Sequence, residues 1–186
     1  MYKSDIEAYI NKEIEVLKVL DVSSIDAVMT AIIDAYNADA NIYIFGNGGS
    51  AATASHFQND FNKGLSENLD KKFNFVCLND NVPTVMAIAN DSGYEYIFEH
   101  QLIGKLKDKD LVIGISGSGN SRNVLRAIEY ANQQGIKTIG ITGYDGGKLA
   151  RMVDISFNVP IHDMQITEDV HMILDHLMMS VLMRRL

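Results

Sequence analysis

Residues 41–50 read NIYIFGNGGS, and residues 111–121 read LVIGISGSGNS. Each stretch begins with a short apolar run, rich in β-branched residues, and ends in a loop of glycine, serine and asparagine. A fully apolar strand is typical of a parallel sheet that is covered by helices on both faces. Since an amphipathic helical pattern follows each loop, the two stretches predict βαβ units with right-handed crossovers.

The same alternation of strands and helices extends along the whole chain. Further apolar runs predict strands at 73–78, 138–142 and 153–159. Helical periodicity predicts helices over about 4–20, 24–38, 50–63 and 163–184, and a further helix that follows the second loop and ends at about 134. We expect Ser24 or Asp26 to cap the helix over 24–38. We therefore predict one α/β domain over 1–186: a helical segment at 1–38 and, at 39–186, a doubly wound sheet of five parallel strands flanked by helices.

The composition narrows the classes of partner. Hydrophobic residues make up 47% and charged residues 22%, and the net charge is −8. An acidic balance disfavours nucleic acid, whose phosphate backbone is bound by clustered lysine and arginine, but backbone N–H groups can still hold a small phosphorylated ligand. The single cysteine, Cys77, excludes an intramolecular disulfide. No apolar run at 1–20 is long enough for a signal peptide or a membrane helix, so we expect a cytoplasmic protein.

The two glycine-rich loops are candidate phosphate sites. At a helix N-terminus the first N–H groups lack partners and the helix dipole is positive, while glycine lets the backbone approach an anion. In an open α/β sheet, ligands bind beyond the carboxyl ends of the strands, where both loops would lie. Neither loop has the spacing of a dinucleotide fingerprint or the Gly-Lys-Ser/Thr of a P-loop. The loops therefore favour a phosphorylated ligand that is not a nucleotide.

Histidines and carboxylates form a second group of candidates. His56 and Asp60 are four residues apart on a predicted helix and share one face. The last predicted helix carries Glu168, His171, Asp175 and His176. Two histidines with two carboxylates match the donors of a four-ligand zinc site. The same residues are also compatible with a surface or capping histidine and a solvated acidic face, and a di-iron motif lacks its second half.

Several stretches, taken in order, form a more specific pattern than either loop alone. They are Gly46–Ala51, Ala89–Glu95, Gly114–Asn123, Gly140–Lys148 and Asp163–His176. Together they resemble the sugar isomerase (SIS) domain family and, within it, the phosphoheptose isomerases. The resemblance implies a flavodoxin-like SIS fold and a ketose–aldose isomerase that converts sedoheptulose 7-phosphate to D-glycero-D-manno-heptose 7-phosphate through an enediol, for heptose biosynthesis. It also implies a homotetramer, with the N-terminal helices packing between subunits and the active sites at subunit interfaces.

The resemblance also implies roles for individual residues, carried over by position. The phosphate loop would be Ser116, Gly117, Ser118 and Ser121. Further contacts to the sugar or the phosphate would come from Asn47, Gly48, Gly49, Ser50, Asn90, Asp91, Asp163 and Glu168. Asp60 would be the catalytic base and His176 the acid. One zinc ion per subunit would be held by His56, Asp60, Glu168 and His176.

Two positions depart from the family pattern. Asp60 stands where the family usually has glutamate, and Glu168 stands where it has glutamine, while Lys63 is a stand-in for a basic residue that is not clearly reproduced. These departures keep two other functions open: isomerisation of a different sugar phosphate, and a non-catalytic SIS protein that binds a sugar phosphate or serves as an adaptor. The retained histidines and carboxylates favour the enzyme.

Overall fold

The computed structural model describes all residues from 1 to 186 and contains one parallel sheet. Its strands are β1 (Ile42–Phe45), β2 (Phe75–Cys77), β3 (Leu111–Ser116), β4 (Lys137–Gly143) and β5 (Ile155–Val159). They lie in the order β2-β1-β3-β4-β5, and every neighbouring pair is parallel. In the central pairs, Ile42 of β1 lies opposite both Phe75 and Leu111. The predicted fold class is confirmed.

Helices cover both faces of this sheet. They are α1 (Lys3–Lys18), α2 (Val22–Asn37), α3 (Gly49–Asn59), α4 (Val82–Asp91), α5 (Glu99–Leu102), α6 (Arg122–Gln133), α7 (Leu149–Met152) and α8 (Met164–Leu182). The predicted cap of α2 was wrong, because the carboxylate of Asp21 accepts the N–H of Ser23 at 2.9 Å and so begins the helix earlier. We did not predict α4, although its Asn81 cap and early Pro83 are start signals. No helix combines the length and the apolar character needed to cross a membrane.

The hydrophobic core is divided between the two faces of the sheet. Successive strand residues point to opposite faces, so Ile42 and Ile44 join one cluster while Tyr43 and Phe45 join the other. The first cluster contains residues of α2, α3 and α8, and the second contains residues of α6. Because both faces are buried, the apolar runs that predicted the strands have a direct structural cause.

The strand order places the two glycine-rich loops beside one another. From β1 the chain proceeds to β2 on one side of the sheet, and it later returns to β3 on the other side. Helices that leave two such neighbouring strands diverge, which opens a crevice at the carboxyl ends of β1 and β3. The loop after β3 is held by the loop after β4: Gly143 N–H donates to Gly117 O and Leu149 N–H to Gly119 O, each at 2.9 Å.

Gly119 is where these two loops approach most closely. Its φ is +63°, and a Cβ placed there would overlap the carbonyl oxygen of Gly146. Gly48, in the first loop, has a similar φ of +56°, but a Cβ added there would have no neighbouring atom within 4 Å. Both residues need the left-handed backbone region, and only Gly119 also needs the empty space.

Gly119→Ala should lower the free energy of unfolding by about 3–4 kcal/mol, because a left-handed backbone penalty and a backbone overlap act together. Gly48→Ala, the control without an overlapping neighbour, should cost only a backbone penalty of about 1–3 kcal/mol, because its φ of +56° and ψ of −122° strongly favour glycine. Urea unfolding of both variants measures the difference. Equal losses would show that the contact between the two loops is not rigid.

Candidate functional site

The first loop, residues 46–50, is held by hydrogen bonds to Asn79 on one side and to Asn123 on the other. The N–H of Gly46 donates to Asn79 Oδ1 at 3.2 Å, and the Asn79 amide donates back to Gly46 O at 2.8 Å. Across the crevice, the side-chain amides of Asn47 and Asn123 exchange hydrogen bonds of 2.9 and 2.8 Å. The Tyr94 hydroxyl also donates to Asn47 Oδ1, at 2.9 Å. Asn47, predicted as a binding residue, therefore joins the first loop to the start of α6.

The second loop, residues 116–121, presents hydroxyl groups at the start of α6. The Ser116 hydroxyl donates to Ser121 Oγ at 3.1 Å, and Ser118 Oγ accepts the N–H of Asn120 at 3.2 Å. The side chain of Ser121 does not cap α6, and the N–H of Val124 donates to Asn123 Oδ1 at 2.9 Å, which leaves the N–H groups of Arg122 and Asn123 free for a ligand. Serine hydroxyls and free N–H groups at a helix N-terminus form a set of neutral donors that suits a phosphate.

A cleft of about 310 Å³ opens between these loops and the segment after α4. It is lined by Asn47, Tyr94, Glu95, Ser121, Arg122 and Asn123. The guanidinium of Arg122 lies 3.6 Å from a carboxylate oxygen of Glu95, so the cleft has one cation at its rim. A larger cavity of about 440 Å³ lies elsewhere, against Lys137 and Asp154, but it contains none of the predicted site residues. The smaller cleft therefore has the better chemistry for a phosphorylated ligand.

Histidines and aspartates of α3 and α8 meet in a compact group, which we call the His/Asp group: His56, Asp60, Asp175 and His176. The two Nε2 atoms of His56 and His176 are 3.0 Å apart, and Asp60 Oδ2 lies 3.4 and 3.9 Å from them. All four candidate ligand atoms lie within 4.8 Å of one another. Ligand atoms around a tetrahedral zinc ion are about 3.4 Å apart. The donors and their spacing therefore fit a metal ion.

Glu168 was predicted as a ligand, and that role stays a prediction. Within one chain its carboxylate lies against Gly49, so closely that a Cβ on Gly49 would overlap it, and it is absent from the His/Asp group. The reason is the rise of a helix: His56 is seven residues beyond Gly49, or about 10 Å along the axis. Asp175, next to His176, is the carboxylate of α8 that belongs to the group. Glu168 meets the positive N-terminus of α3.

Asp60 lies where α3 changes character. The helix ends at Asn59, and Asp60–Gly64 continues as a π-helical turn, a feature that often marks functional sites. Asp60 is buried, and its Oδ1 accepts the side-chain amide of Asn59 at 3.0 Å. One oxygen is thereby fixed, and the other faces the histidines.

Two further polar side chains are buried on α8. Asp175 is fully buried, neither of its oxygens has a hydrogen-bond partner, and burial, followed by the charge of Asp60, raises its pKa to about 8. His171 lies one turn earlier, with its Nε2 at 3.0 Å from Thr142 O, and burial lowers its pKa to about 4. His171 is thus a neutral donor to the end of β4 and lies outside the His/Asp group.

The remaining predicted residues lie at the ends of α4 and α8. Asn90 and Asp91 are exposed at the end of α4, and the side-chain hydrogen bond that they make is with each other, at 2.8 Å. Asp163 caps α8 through the N–H groups of Gln165 and Ile166, and it also pairs with Lys12 at 2.5 Å. Within one chain, none of the three hydrogen bonds to either loop.

Sequence reasoning missed Asn123 and Tyr94 as partners of Asn47. Both lie inside stretches that carry the family resemblance, Gly114–Asn123 and Ala89–Glu95, and this was the available signal. Pairing between side chains that are 76 residues apart depends on the finished sheet and leaves no local pattern.

A comparison of the sequence with models of protein families identifies the class of protein. Residues 7–143 match the family model described as SIS domain. The match spans most of the sheet and both glycine-rich loops. The fold and the site therefore define a SIS domain protein.

Individual relatives show which group within the SIS domain family the chain resembles. The chain is 33% identical over 187 residues to the phosphoheptose isomerase of Leptospira biflexa, covering 100% of this chain and 95% of the relative. It is 40% identical over 159 residues to that of Thermodesulfovibrio yellowstonii, covering 85% and 78%. The structure of the Neisseria gonorrhoeae phosphoheptose isomerase superposes with a TM-score of 0.88 at 30% identity, covering 98% of both chains. The chain belongs to the SIS domain family and, within it, to the phosphoheptose isomerases.

The buried state of His171 predicts a specific acid sensitivity. An unfolded histidine binds its proton near pH 6.5, whereas in the folded protein the pKa is about 4. The unfolded chain therefore binds more protons between these values, and the free energy of unfolding should fall as the pH is lowered from 6.5 to 4. The loss from this residue is about 3 kcal/mol.

His171→Gln, which keeps a donor for Thr142 O, should remove this part of the pH dependence. Urea unfolding of both proteins at several pH values measures it, and every other titrating group, Asp175 included, is common to the two. Parallel stability curves would show that His171 does not titrate in this way.

Proposed function

We propose that the chain is a ketose–aldose isomerase that converts sedoheptulose 7-phosphate to D-glycero-D-manno-heptose 7-phosphate, a step of heptose biosynthesis. The observation that carries the proposal is the position of α3 between the two groups of candidate residues. The loop before α3 is hydrogen-bonded to α6 through Asn47 and Asn123, beside the second loop, residues 116–121, which we call the serine loop. Its own His56 and the following Asp60 belong to the His/Asp group. A substrate with a phosphate at one end and a carbonyl at the other suits such a site.

Proton transfer is the chemistry that the His/Asp group supports. Isomerisation through a cis-enediol moves a proton between C1 and C2, which needs a base at carbon and an acid at oxygen. We assign Asp60 as the base, because one of its oxygens is held by Asn59 and the other is free to accept a proton. We assign His176 as the acid, because its side chain is 56% exposed and can exchange protons with substrate and solvent.

The serine loop supports the phosphate end of the same substrate. Ser118 Oγ already accepts a hydrogen bond from the backbone, so its own proton is available for a phosphate oxygen. Ser116 and Ser121 share one hydrogen bond, which orients both hydroxyls. Neutral donors of this kind bind a phosphate without adding lysine to an acidic protein, and we expect Gly117 and Gly48 to let the backbone approach it.

We propose zinc as the metal, one ion per subunit, with His56 as a ligand and one of Asp60 and His176 beside it; whichever of these two binds zinc leaves the proton transfer to the other. The fit rests on the spacing of the donor atoms and on a buried carboxylate that lacks a partner. When bound, zinc would act as a Lewis acid that polarises the substrate oxygens. The protein residues would still orient the sugar, exclude water and move the proton.

We also propose a homotetramer that works in the cytoplasm, where a charged sugar phosphate is retained, without nucleic-acid or membrane partners. The first helix supports the oligomer: Ile6, Ile10 and Ile14 lie on adjacent turns of α1 and are 56%, 51% and 43% exposed. Only Val16 of α1 is buried, and Tyr9 and Lys12 of α1 donate hydrogen bonds to Asp169 of α8 and to its cap residue Asp163. An apolar face of this size is typical of a surface that a second chain covers.

Sedimentation equilibrium should give about four times the 20.6 kDa chain mass at micromolar concentration. Ile10→Glu should dissociate the oligomer, because it buries a charge in the proposed contact. Val19→Glu is the matched control, since Val19 is 65% exposed but lies on the other side of the helix. A wild-type monomer would contradict the proposal.

The isomerase reaction can be observed by proton NMR of sedoheptulose 7-phosphate in deuterated water, with zinc supplied. Aldose anomeric signals and deuterium at C1 are expected from the wild type. Asp60→Asn should lower turnover by about 10²–10⁴-fold, since the base is removed. Ser118→Ala should weaken substrate binding by about 10-fold or more, since a hydrogen bond to a charged group is lost.

Glu67→Gln is the matched control for these variants, because Glu67 is an exposed residue that pairs with Lys63 at the surface. It should behave as the wild type. No turnover by the wild type would overturn the proposed substrate and would favour another sugar phosphate or a binding protein. Full activity of Asp60→Asn would remove Asp60 as the base.

A further inference from the structure

Asp175 is the buried carboxylate of this chain that has no partner. The side chain of Asp110, also buried, accepts N–H groups of Asn41 and Lys107, each at 2.9 Å. Asp60 accepts the amide of Asn59. Neither oxygen of Asp175 accepts a hydrogen bond, although the residue is fully buried. A buried carboxylate is costly unless a cation or donors compensate it, so something that the chain alone does not provide is expected beside Asp175.

The position of Asp175 on α8 sharpens this point. The buried stripe of the helix includes Ile166, Val170, Leu174, Met178 and Leu182. Asp175 lies within that stripe, where helical periodicity favours an apolar residue. Leucine would pack there without any penalty of charge. The residue is therefore better explained by a ligand than by packing.

The His/Asp group shows where that ligand would lie. Asp175 Oδ2 is 3.9 Å from His56 Nε2, which is too long for a hydrogen bond but close to the spacing of two ligands on one ion. With neutral histidines, Asp60 and Asp175 together carry two negative charges, which matches a divalent cation. Imidazole and carboxylate donors suit zinc and its first-row neighbours.

We propose that Asp175 is a direct ligand of the divalent ion. Within one chain, Glu168 lies outside the His/Asp group and contacts Gly49 at the N-terminus of α3. A catalytic zinc site needs three protein ligands and one open position, so four available donors leave one for proton transfer. The inference rests on the proposed function only for the reaction, since metal binding is independent of substrate.

The test compares metal binding by four forms of the full-length chain, stripped with a chelator and titrated with Zn²⁺ by calorimetry. The forms are the wild type, Asp175→Asn, Asp175→Leu and the control Glu67→Gln, which changes an exposed carboxylate outside the His/Asp group. Asp175→Asn and Asp175→Leu should lose about 100-fold or more in zinc affinity, because removal of a ligand costs more than the loss of an outer-shell contact. Glu67→Gln should bind zinc as the wild type does.

Two further readouts separate a ligand from a structural residue. Zinc should raise the melting temperature of the wild type and of Glu67→Gln, but not of Asp175→Leu. Without metal, Asp175→Leu should melt higher than the wild type, because an unpaired buried carboxylate is gone. Co²⁺ in place of Zn²⁺ should give a visible spectrum that Asp175→Asn alters and Glu67→Gln does not.

Each other outcome overturns the inference. Wild-type zinc affinity in the Asp175 variants, an equal loss in Glu67→Gln, or no zinc binding by the wild type would each do so. Failure of the proposed function is distinguishable, because it appears as absent turnover of sedoheptulose 7-phosphate in a protein that still binds zinc through Asp175. Asp175→Asn keeps the test valid if Asp175→Leu does not fold.

Discussion

The site depends on the close packing of α8 along α3 and the turn that follows it. Three contacts succeed one another in the same order along both elements: Gly49 with Glu168, His56 with His176, and Gly64 with Met179. The two outer contacts are possible because glycine has no side chain, since a Cβ at either position would overlap its partner. This parallel arrangement holds Glu168 at the start of α3 and brings His176 to the level of His56.

The same packing explains why the fold was easier to predict than the site. Strands β1 and β3 are buried on both faces, so their apolar runs were readable from the sequence alone. The membership of the His/Asp group was not, because helical angle alone places Glu168 and His176 on one side of α8. The distance along the axis separates them, and only the packed partner helix shows which of the two meets His56. Asp175 was visible as a candidate, but its burial was not.

Long-range polar pairing is the other part that sequence could not supply. Asn47 and Asn123 are brought together by the crossover from β1 through β2 to β3, and their reciprocal hydrogen bonds exist only in the finished sheet. The start of α6, with its serine loop, cannot shift against the start of α3 without breaking two amide hydrogen bonds, so the two glycine-rich loops are held at a fixed separation.

Unsatisfied polar atoms in this protein are concentrated on one helix. Thr167 Oγ1, His171 Nδ1 and both oxygens of Asp175 are the buried side-chain atoms without a partner, and they recur every four residues along α8. Buried polar atoms are normally paired, so their alignment on one stripe points to a demand other than stability. Thr167 and His171 lie against the carboxyl end of β4, while Asp175 lies in the His/Asp group. A helix that presents polar groups from the end of β4 to the His/Asp group cannot bury an apolar stripe throughout, and the large core around β1, β3 and β4 offsets that cost.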